Sequence, residues 1–241
     1  MGFQATLFQF FLPPQCPCCE EFLEERQQGF CPKCLSEVHW IDPPFCSICG
    51  IPFTSKEVGN HPCGACMTHC KYFTMARALG TYEGSLQKAI HHWKYEGRKS
   101  LTPFFAEWMA EGVKRYWAPG SLDLLIPVPL HPQRLRERGF NQALLLVKTL
   151  SRRTGIPYRR AILKKKKPTV PQVNLSGAER EKELRGAFHM TATKEWVGKS
   201  ILLVDDVYTT GATVNECSKM LSRGGAKRVD VLTLAHALRT S

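Results

Sequence analysis

Residues 201–204 (Ile-Leu-Leu-Val) form an unbroken apolar run, the pattern of a strand buried on both faces of a parallel sheet. Two acids, Asp205 and Asp206, follow at once, then a short polar loop containing Gly211. Apolar positions at Val214, Cys217, Met220 and Leu221 then take up helical spacing. Arg228–Leu238 reads as the next strand, which completes a local βαβ unit. Upstream, Leu124–Leu130 reads as a strand ending at Pro127 and Pro129, followed by a basic segment and a helix running from about Gly139-Phe140-Asn141 through Leu150. Leu86, Ile90 and Trp93 mark another helix, with Lys94 and Tyr95 at its end. Trp93 belongs to the core on this pattern, Trp108, Trp117 and Trp196 to packing, and His91 and His92 to the surface. The expectation is an α/β fold with a parallel sheet over residues 76–241.

The composition, 43% apolar and 22% charged in 241 residues, is that of a globular protein. No apolar run reaches the roughly 18 residues of a membrane helix, so no membrane span is expected. Residues 3–12 are apolar but short, without a basic flank or a small-residue cleavage site; a short amphipathic helix is expected there rather than a signal peptide. Charge divides the chain: residues 1–75 hold 4 Lys/Arg and 7 Asp/Glu, whereas the rest hold 29 and 14. A basic body favours polyanions, either nucleic acid or phosphorylated ligands.

Ten of the eleven cysteines lie before residue 71, which sets a boundary near residue 75: residues 1–75 as one domain, 76–241 as the other. They form four CxxC knuckles, Cys16/Cys19, Cys31/Cys34, Cys46/Cys49 and Cys63/Cys66, separated by 11, 11 and 13 residues. A knuckle presents two thiolates on one turn, and two knuckles complete a tetrahedral Zn²⁺ site. Eight ligands imply two Cys₄ sites, paired consecutively or crossed. Four thiolates leave no open position, so the zinc is structural. Cys18 and Cys70 are left over, each a free thiol or a substitute for a knuckle member.

The stretch Val-Asp-Asp-Val-Tyr-Thr-Thr-Gly-Ala-Thr over residues 204–213 carries the chemistry. Adjacent carboxylates accept hydrogen bonds from ribose hydroxyls, directly or through Mg²⁺. The hydroxyls of Thr209, Thr210 and Thr213 are donors, and Gly211 lets backbone amides approach a phosphate at a helix N-terminus, with Ala212 opening the helix. This stretch resembles the phosphoribosyl-pyrophosphate (PRPP) signature of type I phosphoribosyltransferases, whose fixed positions are all present. Together with Thr81–Gly97, the PVPLHPQRLRERGFNQ block, Thr169–Phe188 and the knuckles, the chain resembles the ComF family of competence-associated proteins over nearly its whole length.

The resemblance implies a Rossmann-like type I phosphoribosyltransferase domain behind a small zinc-ribbon domain, and a cytoplasmic role in natural transformation, handling incoming single-stranded DNA. It implies PRPP with Mg²⁺ as ligand, with a DNA-uptake helicase or other competence proteins as candidate partners. Two alternatives stand beside PRPP-dependent DNA handling: an active Mg²⁺-dependent transferase on an unidentified acceptor, and a zinc-ribbon adaptor. Arg134, Arg136 and Arg138 lie where this fold binds pyrophosphate, with Arg138 and Gly139 nearest the helix start. Lys94 is placed to reach a phosphate. Lys164–Lys167 form a basic block, either a solvated loop or part of a hood with Thr169, Gln172 and Arg180 turned inward. The family's R-x-x-N ends here in Glu183 instead of Asn.

Overall fold

The computed structural model describes residues 15–23, 29–55, 59–166, 184, 186–191 and 194–238. The helix expected over residues 3–12, together with Lys167, Thr169, Gln172, Arg180 and Glu183, lies outside them. Two short helices, α1 (Pro32–Ser36) and α2 (Gly64–Thr68), belong to the cysteine region. The body runs β1 (Ala76–Thr81), α3 (Gly84–Tyr95), α4 (Thr102–Tyr116), β2 (Leu124–Pro127), α5 (Pro132–Arg138) and α6 (Gln142–Thr154). It continues with β3 (Leu163–Lys165), β4 (Phe188–Met190), β5 (Ser200–Tyr208), α7 (Ala212–Arg223) and β6 (Arg228–His236).

Strands β1, β6, β5 and β2 pair in that order as a parallel sheet. Strands β3 and β4 form a separate antiparallel pair. The apolar run of β5 is divided between two cores, as the period of two in a strand requires. Ile201 and Leu203 pack with Trp196, Cys217 and Leu221, while Leu202 and Val204 pack with Phe105, Leu146 and Leu150.

Two local features differ from the sequence reading. The acids at 205 and 206 fall inside β5 rather than after it. β2 pairs with Ile201–Val204 only, whereas β6 accompanies β5 as far as the Tyr208–His236 pair. The last hydrogen bond on the β2 side is Val128 N–H to the Val204 carbonyl at 2.9 Å, and Pro129 has no N–H with which to continue. The acids therefore stand where β5 has lost one neighbour and a crevice opens at the carboxyl ends of the strands. The basic segment ahead of α6 is itself a helix, α5. Pro132 occupies its first turn, His131 caps it by accepting the Gln133 N–H at 3.2 Å, and Gly139 ends it with φ 74°.

The cysteine region straddles the β1 edge of the sheet. Its first half packs on the α3–α4 side, where Cys16 and Phe30 join Leu86, Trp93 and Phe105. The Cys18 thiol donates to the Ser85 carbonyl at 3.3 Å, and His92 Nδ1–H donates to the Pro17 carbonyl at 2.6 Å. His92 is thus half-buried against the first ribbon rather than a surface residue like His91. The second half packs on the α7 side, with Cys46, Cys49 and Phe73 beside Tyr208 and Val214. Between the halves the chain runs antiparallel to β1, with Ile41 N–H to the Leu79 carbonyl at 2.8 Å and Thr81 N–H to the His39 carbonyl at 2.9 Å. Gly80 permits that approach, since a Cβ there would lie 2.9 Å from the His39 carbonyl oxygen.

Candidate functional site

Knuckle pairing is consecutive. The sulfurs of Cys16, Cys19, Cys31 and Cys34 lie within 4.8 Å of one another, and those of Cys46, Cys49, Cys63 and Cys66 form a second such group. The two centres repeat one local design. Cys31 N–H points at the Cys16 sulfur at 3.4 Å, and Cys63 N–H points at the Cys46 sulfur at 3.2 Å. Burial opposes ionisation of Cys16 and of Cys46, yet the surrounding amides outweigh it and bring both thiols down to about 7. Four converging sulfurs, the first of each set favoured as thiolate, are a donor set that fits Zn²⁺. Cys18 and Cys70 lie outside both groups, as do His61 and His69.

The second site is the crevice beyond β2, a cleft of about 310 Å³. One wall is the tip of β5 and the loop after it: Asp205, Asp206, Val207, Tyr208, Thr209, Gly211 and Thr213. The opposite wall carries Arg134 and Arg138 from α5, then Asn141 and Gln142 at the start of α6. Lys94 enters from α3 and Lys165 from β3. Thr210 faces instead a neighbouring cavity of about 540 Å³, which the loop shares with the second ribbon. Ala212 is buried at the helix start, and Gly139 is exposed, acting as the end of α5 rather than as cleft lining.

Local structure accounts for this geometry. Gly211 adopts φ 74° and opens α7, which has no side-chain N-cap. A Cβ at Gly211 would overlap the Tyr208 ring and hydroxyl. Tyr208, one of the signature's variable positions, is held by stacking on His236 with ring centroids 4.7 Å apart. Asp205 accepts the Asp206 N–H at 2.9 Å, and Asp206 is paired with Lys94 at 2.6 Å. Burial raises the Asp205 carboxyl, the neighbouring Asp206 charge raises it further, and together they bring it up to about 7. Across the cleft, buried Gln142 Nε2 and Arg138 Nε have no hydrogen-bond partner among the described residues.

The sequence reading brought the acids, the threonines, Lys94 and Arg138 into one site. It did not single out Gln142 or Tyr208. The signal for Gln142 was its place directly after an N-capping Asn141, whose side chain accepts the Leu144 N–H at 3.2 Å.

Family comparisons agree with this layout. Residues 7–67 match the double zinc ribbon domain, and residues 141–240 match the phosphoribosyl transferase domain. Competence protein F of Haemophilus influenzae is 32% identical over 227 residues, covering 92% of this chain and 97% of that protein. The DNA utilization protein YhgH of Escherichia coli K12 is 30% identical, covering 94% and 99% respectively. Competence protein ComFC of Streptococcus pneumoniae is 30% identical, covering 80% and 88%. Among solved structures, a purine phosphoribosyltransferase from Pyrococcus horikoshii Ot3 aligns with 56% of this chain and 73% of its own at 19% identity. Its TM-score of 0.37 is too low to add to the topology already described. Two Cys₄ ribbons, a parallel phosphoribosyltransferase sheet and full-length relatives at this identity place the chain in the ComF family of competence proteins.

Proposed function

We propose that this chain binds PRPP with Mg²⁺ in the cleft and acts in the cytoplasm in DNA uptake, engaging single-stranded DNA through its basic face. The observation that carries the reading is the division of the cleft. Two carboxylates and a threonine–glycine loop form one wall, and on the other Arg138 Nε and Gln142 Nε2 have no partner among the described residues. Acids suit ribose hydroxyls, the glycine-led start of α7 suits the 5′-phosphate, and the α5 side suits pyrophosphate. A divalent ion bound with PRPP would neutralise charge on the pyrophosphate oxygens. The relatives' names, competence and DNA utilization proteins, support the biological role. A cationic cavity of about 410 Å³ beside the cleft, bearing Arg160, Lys164, Lys165 and Lys166, supports contact with a phosphate backbone.

The test is calorimetric titration of the zinc-loaded protein with PRPP and Mg²⁺, comparing wild type with Asp205→Ala/Asp206→Ala. Saturable binding that the double variant loses supports the site; no binding by wild type rejects it.

Transfer of the ribosyl group is a second reading, favoured by the facing walls: acids that would orient the ribose stand opposite cations that would hold departing pyrophosphate. Pyrophosphate release on incubation with candidate bases or amines tests it.

A further inference from the structure

The cleft has a lip that its inner walls do not require. Helices α3 and α5 end beside each other, and their last residues, Tyr95 and Arg138, touch. The Arg138 guanidinium lies 4.9 Å from the Tyr95 ring centroid and donates to the Tyr95 hydroxyl at 3.2 Å. One turn back on α3, the His91 ring approaches Tyr95 with centroids 4.8 Å apart and planes 43° apart. His91 and Tyr95 are both exposed, Tyr95 to 57%.

Core packing does not explain this arrangement. The aromatic that α3 gives to the core is Trp93, fully buried and bonded through Nε1 to Thr102 Oγ1 at 3.1 Å. Tyr95, two residues on, is exposed and lines the mouth of the cleft beside Lys94 and Arg138. An aromatic ring braced by a guanidinium, next to cations that face phosphate, is how proteins hold an unpaired base and its backbone together.

We propose that Tyr95, braced by Arg138 and flanked by His91, is a stacking shelf for an unpaired base of single-stranded nucleic acid at the mouth of the cleft. The proposal rests on the nucleic-acid reading above and gives it a location. Arg138 belongs to both shelf and cleft, so the strand's adjoining phosphate lies over Arg134 and Arg138 at the cleft mouth. Recognition is by the base's π-face, so it tolerates any sequence.

The experiment measures the affinity of the full zinc-loaded chain for an oligothymidine and for an abasic strand of equal length, across a salt series. Wild type, Tyr95→Ala and Tyr95→Phe are compared, with thermal unfolding as the check on folding. Tyr95→Ala is expected to lose about tenfold in oligothymidine affinity, with an unchanged salt slope and unchanged abasic binding. Tyr95→Phe keeps the ring and stays within about twofold of wild type. Equal binding of oligothymidine by wild type and Tyr95→Ala overturns the shelf while leaving the nucleic-acid reading intact. An equal loss on the abasic strand likewise overturns it, since the ring would then not be reading bases. Wild type that binds neither strand overturns both.

Discussion

Lys94 Nζ lies 2.6 Å from Asp206 Oδ1, joining the last turn of α3 to the tip of β5. Both side chains are nearly buried, with exposures of 11% and 14%. The pair places a cation beside two adjacent carboxylates and keeps the second acid from facing the first uncompensated.

Removing that cation is expected to cost both fold and ligand. Lys94→Met leaves Asp206 half-desolvated beside Asp205, and breaking such a pair costs about 2–3 kcal/mol at the edge of an open cleft. Urea unfolding checks the stability, and calorimetry with PRPP and Mg²⁺ checks the affinity, expected to fall about tenfold or more, worth about 1.4 kcal/mol. The Lys94 charge also favours ionised Asp205, so the carboxyl should titrate higher in the variant.

Asp205 gives the pH dependence its sign. Burial and then Asp206 raise its carboxyl from the ordinary 3.8 to about 7, so the folded chain holds this proton more tightly than the unfolded chain. Its contribution to stability is complete below the unfolded value and is lost as pH rises through the folded one. Asp205→Asn should therefore stabilise the chain above pH 7, with the gain fading towards pH 4. The gain is on the order of 2 kcal/mol, about half the full shift at 1.36 per pH unit because solvent enters the cleft. Thermal unfolding over a pH series reads this. PRPP affinity should move the opposite way, rising with pH as Asp205 ionises and levelling off above the same value.

Much of this site was legible because its chemistry is local. The run Ile201–Val204, the paired acids and the Thr-Thr-Gly loop are contiguous, so the order strand, loop, helix needed no tertiary information. CxxC spacing fixed the ligands in the same way, but consecutive against crossed pairing depends on how the halves sit across β1. Where β5 ends was hidden, because a strand's end is set by its neighbours: Pro129 stops β2 early, and β6 carries on to His236. Tyr95 could not be told from Trp93 by type; burial separates them, and burial depends on how α3 lies against α4.

Gly211→Ala tests the loop. The new Cβ meets the Tyr208 ring and sits at φ 74°, so contact and backbone strain add. A non-glycine residue in this conformation costs about 1–2 kcal/mol before any overlap. Gly211→Ala is expected to abolish saturable PRPP binding. Adding Tyr208→Ala should recover stability only in part, because the backbone term remains, and denaturant midpoints separate the two.

Zinc content should be two ions per chain, read by metal release on thiol modification. Cys46→Ser/Cys63→Ser should retain one. The second ribbon holds α7 through the Tyr72 N–H to Asn215 Oδ1 hydrogen bond at 2.8 Å and Ser222 Oγ to the Tyr72 carbonyl at 3.2 Å. Losing it by about 3 kcal/mol would lower the unfolding midpoint by roughly 10 °C for a chain of this size.

The segment beside β1 has a further consequence for solubility. A parallel sheet ending at β1 would present a row of free N–H and carbonyl groups, the kind of edge that recruits strands from other molecules. Residues 39–41 occupy that row through the hydrogen bonds to Leu79 and Thr81, and Gly80, which lets them in, leaves the bare edge flat. Residues 76–241 produced alone should therefore self-associate through β1, and the cysteine-rich half acts for its partner as a permanently attached guard against aggregation.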